Sequence, residues 1–144
     1  MSIQEQQKIK KKYWSEAMRY MDNAKKCLEN TEIDNNRYTD AKYVRMACGT
    51  AFSGLLKGLD GFLIIKGIDK PKGKIRKSIE FYQENLVKLD KKMLGNFIDA
   101  YQILHLYGYY DGFKNVNVIK EGFKNAKILI DKIKPSDKFE TGKY

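Results

Sequence analysis

TDAKYVRMACGTAFSGLLKGLDGFLIIK, from Thr39 to Lys66, is the stretch that decides the fold. Wound at helical pitch, Ala41, Val44, Cys48, Phe52, Leu55, Leu56, Leu59, Phe62 and Leu63 gather on one broad arc. Beside that arc runs a stripe of small residues, Ala47, Ala51, Gly54, Gly58 and Gly61. A helix with a bulky face and an adjoining notch receives two neighbours at once, one of them very closely. Glycines inside a helix cost roughly 0.5–1 kcal/mol each relative to alanine, and close packing has to offset that cost. The stretch is therefore expected to be the most buried helix of the molecule.

Outward from it, the chain reads as helices throughout. Upstream, Ile9, Tyr13, Ala17, Tyr20, Ala24 and Leu28 form a continuous stripe, widened by Trp14, Met18 and Met21, which predicts a first helix over about Gln4 to Asn30. Its opening turns carry Lys8, Lys10, Lys11 and Lys12, where the helix dipole disfavours cations, so fraying is expected there. ENTEIDNNR, residues 29–37, has a turn composition, with Asn36 or Thr39 as N-cap of the second helix and Gly67 as the residue that ends it. Downstream, Ile75, Ile79, Tyr82, Leu86 and Leu89 predict a third helix from about Lys74 to Leu89, with Asp90 capping a fourth. Met93 to Tyr110 is apolar over most of its circumference, and Asp111-Gly112 ends it as a turn. A last helix from about Val116 to Lys134 turns Ile119, Phe123, Ala126, Ile130 and Ile133 inward before Pro135. No strand alternation and no fixed-period repeat is legible. The expectation is an all-α, antiparallel up-and-down bundle of four to five helices over residues 1–134, with 135–144 as a flexible C-terminal tail.

Composition narrows the partners. Charged residues make up 32% and hydrophobic ones 42% of the 144, the balance of a globular chain. The net charge of +10 favours an anionic partner, nucleic acid among them. Lysine supplies most of it, with four arginines only (Arg19, Arg37, Arg45, Arg76), whereas base readout draws heavily on arginine. A solvated lysine-rich surface satisfies the same count. Cys27 and Cys48 both fall on apolar arcs of helices, which fits two reduced thiols in the cytoplasm rather than a disulfide framework. The N-terminal MSIQEQQKIKKKYW lacks the apolar segment of a secretory signal. The longest apolar run, Gly61 to Ile65, falls far short of the roughly 20 residues of a membrane span. No membrane association is expected.

Two places concentrate polar chemistry. The linker GIDKPKGK and its flanks hold Lys66, Lys70, Lys72, Lys74, Arg76 and Lys77 against Asp69 alone. Lys70, Lys72, Lys74, Arg76 and Lys77 are the candidate anion or nucleic-acid patch, although the glycines there lack Walker spacing and a Ser/Thr after the lysine. The second place is YQILHLYGYYDG, residues 101–112. His105 lies four residues after Tyr101 and four before Tyr109, so one helix face aligns phenol, imidazole and phenol. Tyr101, His105, Tyr109, Tyr110 and Asp111 are the candidate pocket, with His105 as its proton carrier. The competing reading buries the tyrosine rings and has them hydrogen-bond a core histidine.

Catalytic frameworks are scarce. With one histidine, no Cys-x-x-Cys and no Glu-x-x-His, no metal site is expected, and no motif points to a cofactor. No serine hydrolase is expected, since Gly-x-Ser-x-Gly is absent and only one histidine could serve as base. Asp60, Asp99 and Asp111 are the acids nearest apolar segments, each most simply a solvated or capping residue.

The segments YWSEAMRYMDNAKKCL and YTDAKYVRMACGTAFSGLLKGLDGFLIIKG resemble the HEPN superfamily of small prokaryotic helical bundles. The later LDKKMLGNFIDAYQILHLYGYYDG looks like small bacterial proteins of the Bacteroidetes that are similar to that group. The resemblance implies an HEPN-like bundle that dimerises or pairs with a nucleotidyltransferase. Many HEPN members are RNases with Arg, four to six residues, then His. Here the nearest upstream arginine to His105 is Arg76, so no catalytic residue carries over. The leading expectation is a non-enzymatic cytoplasmic binding protein acting as a homodimer, the apolar excess of helices one and four supplying the interface. Its rivals are a basic RNA- or DNA-binding module and a divergent nuclease or small-ligand enzyme around His105.

Overall fold

A computed structural model describes residues 1–68 and 77–136. Helix α1 spans Ile3–Leu28. Ser2 opens it by accepting a hydrogen bond from the Glu5 N–H at 3.0 Å, while its hydroxyl donates to the Glu5 carboxylate at 3.1 Å. This Ser-x-x-Glu cap satisfies an orphan donor and places an acid in the first turn, and the helix includes Lys8–Lys12.

Among the described residues, the connection 29–40 departs from the all-helical expectation. Ile33–Asp34 (β1) pairs antiparallel with Arg37–Tyr38 (β2), Ile33 facing Tyr38 and Asp34 facing Arg37. Asn35 and Asn36 take φ of 51° and 60°, the left-handed conformation that a two-residue hairpin turn requires and asparagine tolerates. Strands of two residues are too short for alternation to show in a sequence. With Asn36 spent on the turn, Asp40 rather than Asn36 or Thr39 caps the next helix, accepting from the Lys42 N–H at 3.0 Å. The hairpin is pinned by Tyr38 N–H to the Lys114 carbonyl (2.8 Å) and Val116 N–H to the Asn36 carbonyl (3.0 Å).

Helix α2, Ala41–Ile65, is the interior rod. Its small stripe receives two partners. At Gly54 a Cβ would stand 2.8 Å from Tyr20 Cβ and 3.1 Å from the Ala17 carbonyl oxygen of α1; at Gly58 one would stand 3.1 Å from Ile130 of the last helix. The bulky arc of Val44, Cys48, Leu55, Leu59 and Leu63 is buried against the rest of the core. By length and composition alone α2 would suffice to cross a bilayer, but half of that apolar window is covered inside the fold. Gly67, at φ 84°, closes α2 with a Schellman pair: Ile68 N–H to the Leu63 carbonyl (2.7 Å) and Gly67 N–H to the Ile64 carbonyl (2.9 Å).

Helix α3 spans Ile79–Leu89, capped by Ser78 through the Phe81 N–H at 3.2 Å. Lys77 and Ser78 precede it in non-helical backbone, so the helix starts later than the predicted Lys74. Asp90, extended at φ −164°, ends α3 and caps α4 (Lys91–Ala100), accepting from the N–H groups of Lys92 and Met93. The predicted fourth helix then changes pitch. Tyr101–Tyr110 is a π-helix that ends at Asp111 and Gly112, the latter at φ 61°. Helix α5 spans Val116–Ile130, capped by Asn115, and tightens into a 3₁₀ turn over Asp131–Ile133. Pro135 is buried and Ser136 donates its N–H to Gln7 at 2.9 Å, so the chain is held through residue 136. The remainder of the predicted tail, 137–144, lies outside the described residues. Among the described residues the result is an all-α bundle of five helices with one minimal hairpin.

Candidate functional site

The π-helix governs the site. Bonds from i to i+5 open the turn beyond the 3.6 residues of an α-helix, so residues four apart stand more nearly above one another. Tyr101, His105 and Tyr109 form such a column. Tyr101 and His105 lie 5.3 Å apart at 24°, and His105 and Tyr109 lie 5.8 Å apart at 14°. Tyr110 meets the imidazole edge-on at 4.9 Å, and Phe52 of α2 stands 5.0 Å from it. Two glycines let the segment approach α2. Gly108 lies over the Cys48 side chain, and Gly49 leaves room for the Tyr109 ring, whose Cδ1 would sit 2.8 Å from a Cβ there. The column continues through Phe52 to Phe97 (6.4 Å), Tyr82 (6.0 Å) and Phe81 (5.6 Å).

Along this aromatic row runs a cavity of about 640 Å³ between α2, α3 and the π-helix. Phe52, Tyr82, His105 and Tyr109 line it, together with the apolar side chains of Leu56, Ile79 and the exposed Met46. Arg45 and Lys77 contribute cations. Arg45 donates through Nη1 to the Tyr110 carbonyl at 2.7 Å. Lys77 pairs with Asp60 at 3.1 Å, and Asp60 also accepts from the Tyr82 hydroxyl at 2.7 Å. Burial, then the Asp60 carboxylate, pushes the Tyr82 phenol well above its ordinary range. Asp60 is thus a hydrogen-bonded half-buried acid, not a merely solvated one.

Burial lowers the His105 pKa below its usual value, so the ring is neutral at pH 7. Among the described residues the imidazole makes no hydrogen bond. The tyrosines therefore hold it by ring stacking and not by their hydroxyls, and its two nitrogens stay unspent. No carboxylate lines the cavity among the described residues, and no hydrogen bond joins His105 to Thr50, Ser53 or Ser78, which do line it. No group of three His, Cys, Asp or Glu side chains lies together among the described residues. The arrangement can present aromatic surface and a neutral donor and acceptor to a molecule in the cavity, with the Arg45 guanidinium beside it.

Of the predicted pocket residues, Tyr101, His105, Tyr109 and Tyr110 come together around the imidazole. Of the five, His105 and Tyr109 line the cavity, whereas Tyr101, Tyr110 and Asp111 do not, and Asp111 is exposed at the end of the π-helix. Of the predicted basic patch, Lys77 lines the cavity, whereas Lys70, Lys72, Lys74 and Arg76 lie outside the described residues. The sequence reading missed Arg45, which reaches the cavity from α2 and bonds the backbone beside the histidine. Its signal was present: Arg45, Met46, Gly49 and Ser53 lie off the bulky arc of α2, a second face that the core reading left without a purpose.

The sequence profile of a domain of unknown function, DUF5618, matches residues 12–135. The chain belongs to this family. The DUF5618 match covers all five helices apart from the first turns of α1. The fold is also similar to a solved protein of unknown function from Dyadobacter fermentans, a member of the Bacteroidetes. That likeness has a TM-score of 0.75 and 36% identity, covering 87% of this chain and 95% of the other. No curated protein matches this DUF5618 chain.

Proposed function

We propose that this DUF5618 protein acts by binding rather than by bond-breaking chemistry, and that its ligand is a small planar aromatic anion held in the Arg45–Lys77 cavity. The observation that carries the reading is the neutral imidazole of His105, stacked among rings, facing the cavity and using no hydrogen bond on the protein. A general base would need an oriented imidazole and a partner to hold its proton position. A recognition group needs only donor, acceptor and fixed orientation, which the stack supplies. Arg45 lies where the anionic group of such a ligand would be drawn, its guanidinium keeping further N–H donors beyond the one given to Tyr110.

Calorimetric titration with adenosine monophosphate and with 4-hydroxybenzoate tests this. Saturable binding of either, weakened at least tenfold by Arg45→Gln, supports the proposal. Absence of binding of both, or turnover of an RNA substrate that His105→Ala abolishes, refutes it in favour of a divergent nuclease.

A second reading, self-association in the cytoplasm, rests on its own observation. Tyr107, Tyr110 and Phe113 remain 42%, 58% and 40% exposed around the end of the π-helix, with the Tyr107 and Phe113 rings 6.0 Å apart. On α1 Met21 is buried, while Trp14 and Met18 are partly buried against the core. An interface would therefore use the aromatic end of the π-helix, in keeping with the pairing habit that the HEPN resemblance implies, whether with a second copy or a nucleotidyltransferase. Sedimentation equilibrium of the wild-type chain and of Tyr110→Ser/Phe113→Ser distinguishes the cases: a dimer lost in the variant supports it, and a wild-type monomer at high micromolar concentration overturns it.

A further inference from the structure

A second concavity lies on the opposite side of α1, away from His105. Helices α1 and α5 both pack on α2 and are tied together where Trp14 Nε1 donates to the Asp131 carboxylate at 3.1 Å. At the other end the hairpin fills the space between them, with Tyr38 and Thr31 buried there. Between tie and hairpin the two helices leave a groove of about 610 Å³, in the range of small-molecule sites. Met21, Tyr38 and Phe123 form a buried apolar floor, Leu28 lines the α1 wall, and Ile33 and Ile128 stand at the lip, 56% and 38% exposed. An isoleucine at each lip leaves apolar surface that an apolar occupant would cover.

The charge on the rim is one-sided. Lys25, Lys120, Lys124 and Lys127 line the groove against Glu29 and Asp131. Lys127 is taken by Asp131 at 2.5 Å. Among the described residues Lys25, Lys120 and Lys124 enter no ion pair. Lys120 and Lys124 sit one turn apart on α5, where like charges repel and a single anion placed between them relieves both. From Lys120 to Asp131 the α5 wall is about 16 Å long at 1.5 Å per residue.

We propose that this groove binds a linear amphipathic carboxylate, a medium-chain fatty acid or an acyl compound of the same shape. Its head group pairs with Lys120 and Lys124, and its tail lies over Met21 and Phe123 toward Ile128. An acidic amphipathic helix is the less suitable occupant. Its repeated carboxylates need cations along both walls, and the α1 wall offers Lys25 alone, one turn from Glu29. The inference is independent of the Arg45–Lys77 cavity.

Calorimetric titration of the full chain with octanoate, decanoate and dodecanoate, each below its micellar concentration, tests it. The expected result is saturable one-to-one binding that tightens roughly threefold to fourfold per added methylene. Dodecanol is expected to bind at least tenfold more weakly than dodecanoate. The variants Lys120→Gln/Lys124→Gln and Ile128→Asp change exposed side chains, so the fold survives them. Each is expected to weaken dodecanoate at least tenfold, while Arg45→Gln leaves its affinity unchanged. No saturable binding of dodecanoate overturns the proposal, as does equal affinity for dodecanol or undiminished binding by the double lysine variant. Binding to phosphatidylglycerol vesicles without binding of monomeric dodecanoate overturns it in favour of a lipid surface. Displacement of dodecanoate by an acidic amphipathic peptide that binds more tightly assigns the groove to a protein partner and also overturns it.

Discussion

Gly54 lies directly beneath Tyr20, and a Cβ at Gly54 would stand 2.8 Å from the Tyr20 Cβ and 3.1 Å from the Ala17 carbonyl oxygen. Both obstacles belong to the backbone or its first side-chain atom on α1, so neither can swing aside. Gly54→Ala is expected to push α1 and α2 apart and to cost about 1–3 kcal/mol, the usual range for overpacking. Gly95, in α4 with nothing within 4 Å of the same point, is the control. There alanine removes backbone freedom from the unfolded chain without a clash, and Gly95→Ala is expected to stabilise by roughly 0.5–1 kcal/mol. Urea denaturation of the two variants measures both signs in one experiment.

The second prediction concerns pH. Burial lowers the His105 pKa in the folded protein, so the unfolded chain, titrating near its ordinary value of about 6.5, takes up the proton first as pH falls. Between those two values the unfolded state binds more protons, and stability falls with falling pH across that window. Above it both states are neutral at this site and the contribution vanishes. Unfolding midpoints at pH 7.5 and 5.5 are expected to differ by less in His105→Phe than in the wild type. An unchanged difference would mean that the ring is not desolvated. Asp131 acts lower on the scale. Burial raises its pKa, but the hydrogen bonds from Lys127 and Trp14 outweigh that and hold the carboxyl below its usual value, so its contribution fades only in more acidic solution.

How much of this was readable beforehand follows from where each determinant sits in the chain. The notch of α2 was legible because helical periodicity is local: Ala47, Ala51, Gly54, Gly58 and Gly61 align whatever surrounds them. The Asp90 cap and the Gly67 terminus were legible for the same reason, each set by chemistry within five residues. The hairpin was not, since two paired residues carry no period and Asn35-Asn36 reads equally well as any turn. The π-helix was not, since no local pattern marks a wider turn and its seat on α2 brings Gly108 against Cys48, sixty residues away in sequence. The candidate site divides along the same line. The Tyr101–His105–Tyr109 column lies within nine residues and was visible, whereas Arg45 and the Lys120–Lys124 groove arise only when distant helices meet.

Tyr82 supplies a third prediction. Its buried ring is one link of the aromatic row, and its hydroxyl donates to the half-buried Asp60 at 2.7 Å. Tyr82→Phe keeps the ring and removes the donor, leaving Asp60 with Lys77 alone. Hydrogen bonds to a charged acceptor are worth about 1.5–3 kcal/mol, and Lys77 retains part of the compensation, so the lower end is expected, roughly 1.5 kcal/mol by urea denaturation. Tyr82→Phe/Asp60→Asn is expected to cost less than the sum of its single changes, because the two groups share one interaction.

The two thiols supply a fourth prediction, and they separate cleanly. Cys48 is fully buried beneath Gly108, with its pKa pushed up to about 12 by burial and further by Cys27. Cys27 is half-buried, its thiol raised by burial alone and lying 3.7 Å from the Tyr43 carbonyl. Since the thiolate is the reacting species, an aromatic disulfide reagent at pH 8 is expected to label Cys27 slowly and Cys48 only when the chain opens. Exchange at Cys48 then becomes a probe of the contact between the π-helix and α2. Gly108→Ala places a methyl against the Cys48 side chain, so the segment has to lift from α2. In that variant Cys48 labelling is expected to accelerate at least tenfold while Cys27 keeps its rate. Equal acceleration at both thiols would indicate global destabilisation, and no acceleration at either would show that the π-helix does not depend on Gly108 lying over Cys48.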